Sequence, residues 1–304
     1  MSSTYVQIEG RRLRLSNLDK VLYPSVNFTK AEMLDYYFQI ADFILPHLRN
    51  RCITLKRYPE GVEKDYFYEK QCPSHHPEWI NTRRRQDDDT PEFCIINDLP
   101  SLIWAVNLAS IEMHPLLSYF DNLEKPSEMV FDLDPGPDRD ILDCGRVALG
   151  LNEMLGQLGL KTFVKTSGGK GLHLYIPLNT TVTFEDTKSF AHAVALTYEK
   201  YYPDIAVSKM NKQLRKGKVF IDWSQNDDHK TTVCVYSLRA MEKPTISMPV
   251  EWEYLDMAIN TKDIKSLIFT PRQTIDIVKK KGDIFAELLE IKQKLPHYAN
   301  SVLL

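Results

Sequence analysis

The sequence is short of cysteine and shows no pattern in the cysteines it has. Five (Cys52, Cys72, Cys94, Cys144, Cys234) are scattered through 304 residues, without a repeated C-x-x-C spacing. An odd, irregular set fits reduced thiols in a cytosolic protein. Cys72, His75, His76 and Cys94 could form a zinc site, but their irregular spacing favours a structural loop. Also missing are a charged-then-apolar start resembling a signal peptide and any run approaching the ~20 apolar residues of a membrane span. There is no internal repeat, low-complexity segment or long linker. An intracellular chain without a membrane partner, folded as one compact unit, is expected.

Neither sign of charge dominates: 38 Lys and Arg stand against 41 Asp and Glu, a net charge of -3. That total does not exclude nucleic acid, because a basic groove in a protein with an acidic outer surface leaves the same sum, and distribution decides. With 43% apolar and 26% charged residues, the composition is that of a globular protein able to bury a sizeable core.

The most informative stretch is Met129-Val-Phe-Asp-Leu-Asp-Pro-Gly136. Met129 to Leu133 reads as a buried strand, so Asp132 and Asp134 point to one face while Phe131 and Leu133 turn to the other. Pro135 and Gly136 end it. Two adjacent carboxylates repel unless a cation lies between them, and hard oxygen ligands suit Mg²⁺ or Mn²⁺. An Asp-X-Asp also occurs in capped turns, so a metal seat needs a third ligand. Lys218-Val-Phe-Ile-Asp-Trp-Ser-Gln-Asn226 offers one, since Asp222 is the only acid in an apolar strand and is costly there unless paired or metal-bound. A salt bridge from Asp222 to Arg239, in the strand-like Val233 to Ala240, is the alternative.

Between Ile205 and Ile221 the chain carries Lys209, Lys212, Arg215, Lys216 and Lys218 and no acid, the footprint of a loop that meets a phosphate backbone. Ser167-Gly-Gly-Lys-Gly-Leu-His-Leu-Tyr175 places three glycines within four positions, which suits positive φ or close approach of a ligand to the main chain. Ser167, Lys170 and His173 could converge there on a triphosphate. A plain glycine-rich hairpin is the other reading, and a Walker loop is excluded because a strand follows.

Further back, Thr29-Lys-Ala-Glu32 has capping-box spacing and opens an amphipathic helix with Met33, Tyr36, Tyr37, Ile40, Phe43 and Ile44 on one side. Lys20 and Lys30 flank its start, where free backbone N-H groups invite an anion such as phosphate. Tyr66, Phe67 and Tyr68 follow one another in a polar loop, so at least one ring is exposed and available to stack on a base. Arg83-Arg-Arg85 answered by Asp87-Asp-Asp89 reads as a solvated turn. Asp98 to Met113 suits a buried helix ended by His114 and Pro115, with His114 a helix-end hydrogen-bonder or secondary site residue. Helices are predicted over about 140–158 and 183–201, the first lying between two strands and giving an α/β layer. Two more are expected within 262–295.

The ordered set Phe-Asp-Leu-Asp-Pro-Gly, Ser-Gly-Gly-Lys-Gly-Leu-His and Ile-Asp-Trp-Ser-Gln-Asn resembles the archaeo-eukaryotic primase superfamily. More closely, the chain is similar to the polymerase domains of LigD-type proteins of prokaryotic non-homologous end joining, with further matches at Asn17-Leu-Asp-Lys-Val-Leu-Tyr-Pro, Thr54-Leu-Lys-Arg-Tyr-Pro, Glu69-Lys-Gln-Cys-Pro-Ser-His and Tyr236-Ser-Leu-Arg-Ala. The resemblance implies an α/β (α+β) primase-type core with an RRM-like antiparallel or mixed sheet flanked by helices. It implies a single domain 1–304, with an N-terminal subdomain to about 125, a catalytic core to about 255 and a helical C-terminal segment. The implied activity is template-directed primer extension at gaps and break ends, favouring ribonucleotides.

By the same resemblance Asp132, Asp134 and Asp222 would hold two Mn²⁺ or Mg²⁺ ions. Ser167, Lys170, His173, Arg239, His114, Lys56 and Gln225 would bind the nucleoside triphosphate. Lys20 and Lys30, with Asn17, would hold the 5′-phosphate of gapped or broken DNA, while Phe67 and Tyr68 would stack on bases; the family's aromatic pair is commonly Phe-Phe, and Tyr68 departs from it. Lys212 and Arg215 would lie in the family's mobile basic loop. Ku and an ATP-dependent DNA ligase would be partners, in the cytoplasm at the nucleoid. A metal-dependent glycosyltransferase would also use Asp-X-Asp but has no need of the basic loop. A non-catalytic end-binding module would place three carboxylates adversely beside phosphate.

Overall fold

The structure, a computed structural model, describes residues 3–84 and 90–296; the turn read at Arg83 to Asp89 lies, from residue 85 on, outside the described residues. In chain order the strands and helices are β1 (Ser3–Ile8), β2 (Arg11–Ser16), β3 (Val21–Tyr23), β4 (Phe28–Thr29), α1 (Lys30–Gln39), α2 (Ala41–Leu48), β5 (Ile53–Arg57), β6 (Phe67–Glu69), β7 (Asn81–Arg84), β8 (Glu92–Ile95), α3 (Leu99–Asn107), β9 (Ser110–Pro115), β10 (Glu128–Pro135), α4 (Ile141–Gln157), β11 (Phe163–Thr166), β12 (Leu172–Pro177), α5 (Phe184–Tyr201), β13 (Ala206–Val207), β14 (Val219–Asp222), β15 (Leu238–Ala240), β16 (Pro244–Ile246), β17 (Pro249–Val250), α6 (Trp252–Thr261), α7 (Pro271–Lys281) and α8 (Ala286–Glu290). Two compact units share them. The first comprises Met1–Leu116, Thr231–Ser247 and Phe269–Asp283, the second Leu117–Lys230, Met248–Ile268 and Ile284–Leu304. The sequence reading set subdomain limits near 125 and 255, whereas the contacts return 231–247 and 269–283 to the first unit.

In the first unit α1 starts at a complete capping box: Thr29 accepts from the Glu32 N-H, and the Glu32 carboxylate accepts from the Thr29 N-H at 2.7 Å. Met33, Tyr36 and Tyr37 are buried, as the 3.6-residue period predicts. The helix gives way at Ile40 to α2. The buried helix read from Asp98 to Met113 is a correction: α3 stops at Asn107, Ala109 turns at φ +61°, and β9 follows. All six β9 residues are buried, so both faces of the strand are covered. Ser110, Glu112 and His114 alternate with Ile111 and Met113, a strand period that the apolar run of α3 just before it masks. His114 is therefore a strand residue and not a helix end.

β5 is the hub of this unit's sheet, pairing antiparallel with β9 over Ile53–Arg57 and with β6 over Leu55–Arg57. Phe67 and Tyr68 thus sit on a strand, not in the polar loop expected; both stay exposed, as does Tyr66. The strand read at Val233 to Ala240 shrinks to β15.

The cysteine reading also needs correction. Cys72 and Cys94 are bridged, while Cys52, Cys144 and Cys234 are free and buried. With both sulfurs in one bond, the zinc alternative loses its ligands. Cys94 is the β8 residue opposite Ile53, so the bridge ties the segment after β6 to the strand beside it.

The second unit is built on a six-stranded sheet of order β13-β14-β10-β12-β11-β17, antiparallel except for the β13–β14 pair. It is the mixed α/β architecture expected, with the predicted helices as α4 and α5. β10 is interior to the sheet, and Met129, Val130, Phe131 and Leu133 are fully buried. Asn226 fixes it further: its side-chain oxygen accepts from the Val130 N-H at 2.8 Å and its amide donates to the Val130 carbonyl at 2.7 Å. No described helix is long and apolar enough to cross a membrane.

Replacing Cys72 by serine removes a cross-link over a sequence separation of 22 and is expected to cost about 3 kcal/mol through loop entropy. The check is a denaturant midpoint in non-reducing buffer, where equality with the parent would show that no bridge contributes.

Candidate active site

In the second unit the antiparallel register does what the alternation of β10 alone could not. Asp132 has Asp222 of β14 as its cross-strand partner on one side and His173 of β12 on the other. Asp134, two residues on, shares the Asp132 face. His173 is buried and its Nε2 lies 3.3 Å from the Asp132 carboxylate. Asp222 is half-buried and its partners are neutral: one oxygen accepts from the Ser224 N-H (2.9 Å) and hydroxyl (2.7 Å), the other from the Gln225 amide at 3.2 Å. Arg239, the alternative partner for Asp222, pairs with Glu112. The acids' field reaches the interior, where burial first and then the Asp134 and Asp132 charges push the Cys144 thiol well up. Three hard carboxylates form a donor set that suits Mg²⁺ or Mn²⁺. Their oxygens are not gathered within 4.8 Å; among the described residues the group that is comprises Asp227, Asp228 and His229, where Lys188 already bridges Asp227.

The glycine loop is held by its own serine. The Ser167 hydroxyl accepts from the Gly169 and Gly171 N-H groups at 3.1 and 3.2 Å, and Gly168 takes φ +70°. A Cβ at Gly171 would stand 2.1 Å from the Leu133 carbonyl oxygen, so this glycine admits the neighbouring strand's backbone, where the sequence suggested a ligand. Lys170 is exposed. The basic segment packs on the end of β10: the Gly136 N-H donates to the Lys218 carbonyl (2.9 Å) and the Gly217 N-H to the Pro137 carbonyl (2.8 Å). Arg215 stacks on Phe220 at 3.5 Å and donates to the Met210 carbonyl, whereas Lys212 is exposed.

In the first unit a second cluster gathers around a residue that the sequence reading missed, Glu112. It is the cross-strand partner of Lys56 and stands two residues before His114 on β9. Its carboxylate lies 3.3 Å from the Lys56 ammonium and 3.2 Å from the Arg239 Nε, and it meets His114 Nε2 at 2.9 Å and the Ala240 N-H at 3.1 Å. Burial pushes the Glu112 carboxyl up, but the His114 hydrogen bond and the Arg239 and Lys56 charges outweigh it and bring it to about 2. Burial lowers His114 despite Glu112, with Arg239 and Lys56 acting in the same direction. The Lys56 ammonium also faces the rings of Tyr66 (4.6 Å), Tyr58 and Tyr68 (5.3 Å each). An acid alternating with a histidine in Ser110–Pro115 was the available signal, and the helix assignment hid it.

Lys30 is buried and donates to the Ser16 carbonyl at 2.7 Å, while Lys20 pairs with Glu60 and accepts, through its carbonyl, the Lys30 N-H. Burial, then Lys20 and Arg57, lower Lys30 to about 8. Asn17 takes the left-handed turn (φ +53°) that delivers Lys20. Phe67 and Tyr68 border a cleft of about 940 Å³ also lined by Arg57, Lys70, His75 and His76.

Residues 29–285 match the family described as LigD, primase-polymerase domain. The chain is 38% identical over 280 residues to the multifunctional non-homologous end joining protein LigD of Mycolicibacterium smegmatis, covering 91% of this chain and 36% of that protein. With the bifunctional non-homologous end joining protein LigD of Bacillus subtilis it shares 29% over 286 residues, 94% of this chain and 45% of the other. The chain thus spans less than half the length of these relatives. A solved structure, the polymerase domain from Mycobacterium tuberculosis ligase D in complex with DNA, superposes with a TM-score of 0.85 at 34% identity, over 93% of this chain and 99% of that one.

The Glu112 cluster predicts a specific acid limb. A carboxyl held at about 2 against an ordinary 4.5 adds stability that is complete above 4.5 and is lost as pH falls towards 2. A histidine held below 6.5 adds a separate loss that begins as pH drops through 6.5, because only the unfolded chain takes up its proton. Glu112→Gln should flatten the first limb and deepen the second, because it removes the charge that holds His114 up, as read from chemical denaturation across pH.

Proposed function

The chain belongs to the LigD primase-polymerase domain family and is a polymerase-type nucleotidyltransferase; from that premise we propose that it extends primer strands, under template direction, at gaps and double-strand-break ends in prokaryotic non-homologous end joining. Ribonucleoside triphosphates are the favoured substrates by the family resemblance. The observation that carries the reading is the register that sets Asp222 opposite Asp132 with Asp134 on the same face. Two Mn²⁺ or Mg²⁺ ions held by these carboxylates would supply Lewis-acid activation of the primer 3′-hydroxyl and neutralise charge at the α-phosphorus.

The chain's own residues do the rest. His173 steadies the Asp132 carboxylate, and Ser224 and Gln225 fix that of Asp222. Lys56, His114 and Arg239, and separately Ser167, Lys170 and His173, meet the incoming nucleotide. Lys20 and Lys30, with Asn17, hold the 5′-phosphate, because a buried lysine beside two other cations gains most from an anion. Phe67 and Tyr68 stack on bases, and Lys212 and Arg215 follow the backbone. Ku and an ATP-dependent DNA ligase are the proposed partners, in the cytoplasm at the nucleoid.

Asp222→Ala should lower Mn²⁺-dependent incorporation on a gapped template by roughly 10²-fold or more while sparing affinity for the duplex. Retained extension would remove Asp222 from the metal site. For the end-binding role, a bound phosphate raises the Lys30 pKa from about 8, so binding takes up a proton above that pH. Affinity for 5′-phosphorylated over 5′-hydroxyl ends should therefore fall as pH rises past 8, and Lys30→Ala should abolish that preference and its pH dependence.

A further inference from the structure

We propose that Glu112 is a positioning residue for the triphosphate, holding Lys56, His114 and Arg239 in one fixed array without itself touching the nucleotide; this rests on the nucleotide-contacting role given above to those three. Three hydrogen-bond donors and one ion-paired guanidinium from three strands converge on its two oxygens: Lys56 from β5, His114 from β9, the Ala240 N-H from β15, and Arg239, also from β15, by charge. The order of exposure sets the geometry. Glu112 is 2% exposed, Lys56 13% and Arg239 21%, so the carboxylate lies behind the cations and the cations lie between it and solvent. A ligand arriving from solvent meets lysine and arginine first.

The charges do not cancel. Lys56 and Arg239 carry two positive charges against one on Glu112, and a buried neutral His114 adds none. Within this set of Glu112, Lys56, Arg239 and His114 one positive charge is in excess, on groups with several N-H donors each, since an ammonium has three and a guanidinium five. An anion with more than one oxygen is the ligand this arrangement takes, and a phosphate chain fits it. A buried ion cluster is a poor way to gain stability, because desolvation offsets most of the attraction. Fixing the directions of flexible cationic side chains before the substrate arrives is what such a cluster does well. The tyrosines support this: rings of Tyr58, Tyr66 and Tyr68 surround the same ammonium, and the Tyr23 hydroxyl donates to the Arg239 carbonyl at 2.9 Å.

The test compares the full chain with Glu112→Gln, Glu112→Asp and Lys56→Ala in Mn²⁺-supported extension of a 5′-phosphorylated gapped duplex, using ATP opposite a templating thymine. Glu112→Gln should raise KM for ATP about tenfold or more, with kcat per folded molecule nearly unchanged and duplex affinity unaltered. Glu112→Asp, which keeps the charge but draws it back, should give a smaller rise. Lys56→Ala should raise KM as well. A parental KM in Glu112→Gln beside a raised KM in Lys56→Ala overturns the positioning role, as does a lower kcat at constant KM, which marks a purely structural residue. If Glu112→Gln fails to fold, a parental KM in Glu112→Asp overturns it equally. A parental KM in Lys56→Ala sinks the nucleotide-contact reading on which the proposal rests, while leaving the metal-site reading to the Asp222 variant.

Discussion

Everything in the second unit depends on the hydrogen-bond register of one interior strand. β10 is gripped by β12 on one edge and β14 on the other, so no residue of it can shift without breaking two ladders, and a slip of one position would turn both acids to the opposite face. Asn226 adds a side-chain clamp on both main-chain groups of Val130. The acids repel one another, and that repulsion is borne by a strand whose Met129, Val130, Phe131 and Leu133 are fully buried. Backbone pairing keeps these carboxylates at a fixed spacing.

The first unit reaches order by the opposite route. There a lone carboxylate gathers cations, and the carboxyl is driven to about 2 by its neighbours in spite of burial. Like charges need a scaffold to be kept close, whereas unlike charges supply part of the scaffold themselves. Acid reaches the first unit through that carboxyl: protonating Glu112 dismantles its array.

Much of this was legible before any coordinates. The alternation in Met129–Gly136, the capping box at Thr29 and the helices at 141–157 and 184–201 are local patterns that folding did not override. What the sequence could not supply was pairing. Nothing in Lys218–Asn226 says that Asp222 faces Asp132; its isolation in an apolar strand marked it as a candidate ligand, and the family resemblance pointed to the same residue. β9 was hidden because its short alternation, Ser110 to His114, directly follows the apolar run of α3 and was read as that helix's continuation, and with it went Glu112. The glycines of the Ser167 loop were read correctly as a demand for space; the sequence could not reveal that at Gly171 the space goes to the carbonyl of Leu133. The Cys72–Cys94 bridge was invisible because an odd, scattered set carries no pairing information.

The Pro135-Gly136-Pro137 turn has one further consequence. A Cβ at Gly136 would lie 1.8 Å from the Arg215 carbonyl oxygen, and two main-chain hydrogen bonds fasten this turn to Gly217 and Lys218. The basic segment is therefore moored to the tip of the acid-bearing strand. Any polyanion that pulls Lys212 outward loads those moorings first, so strand tip and cationic arm answer one tug together.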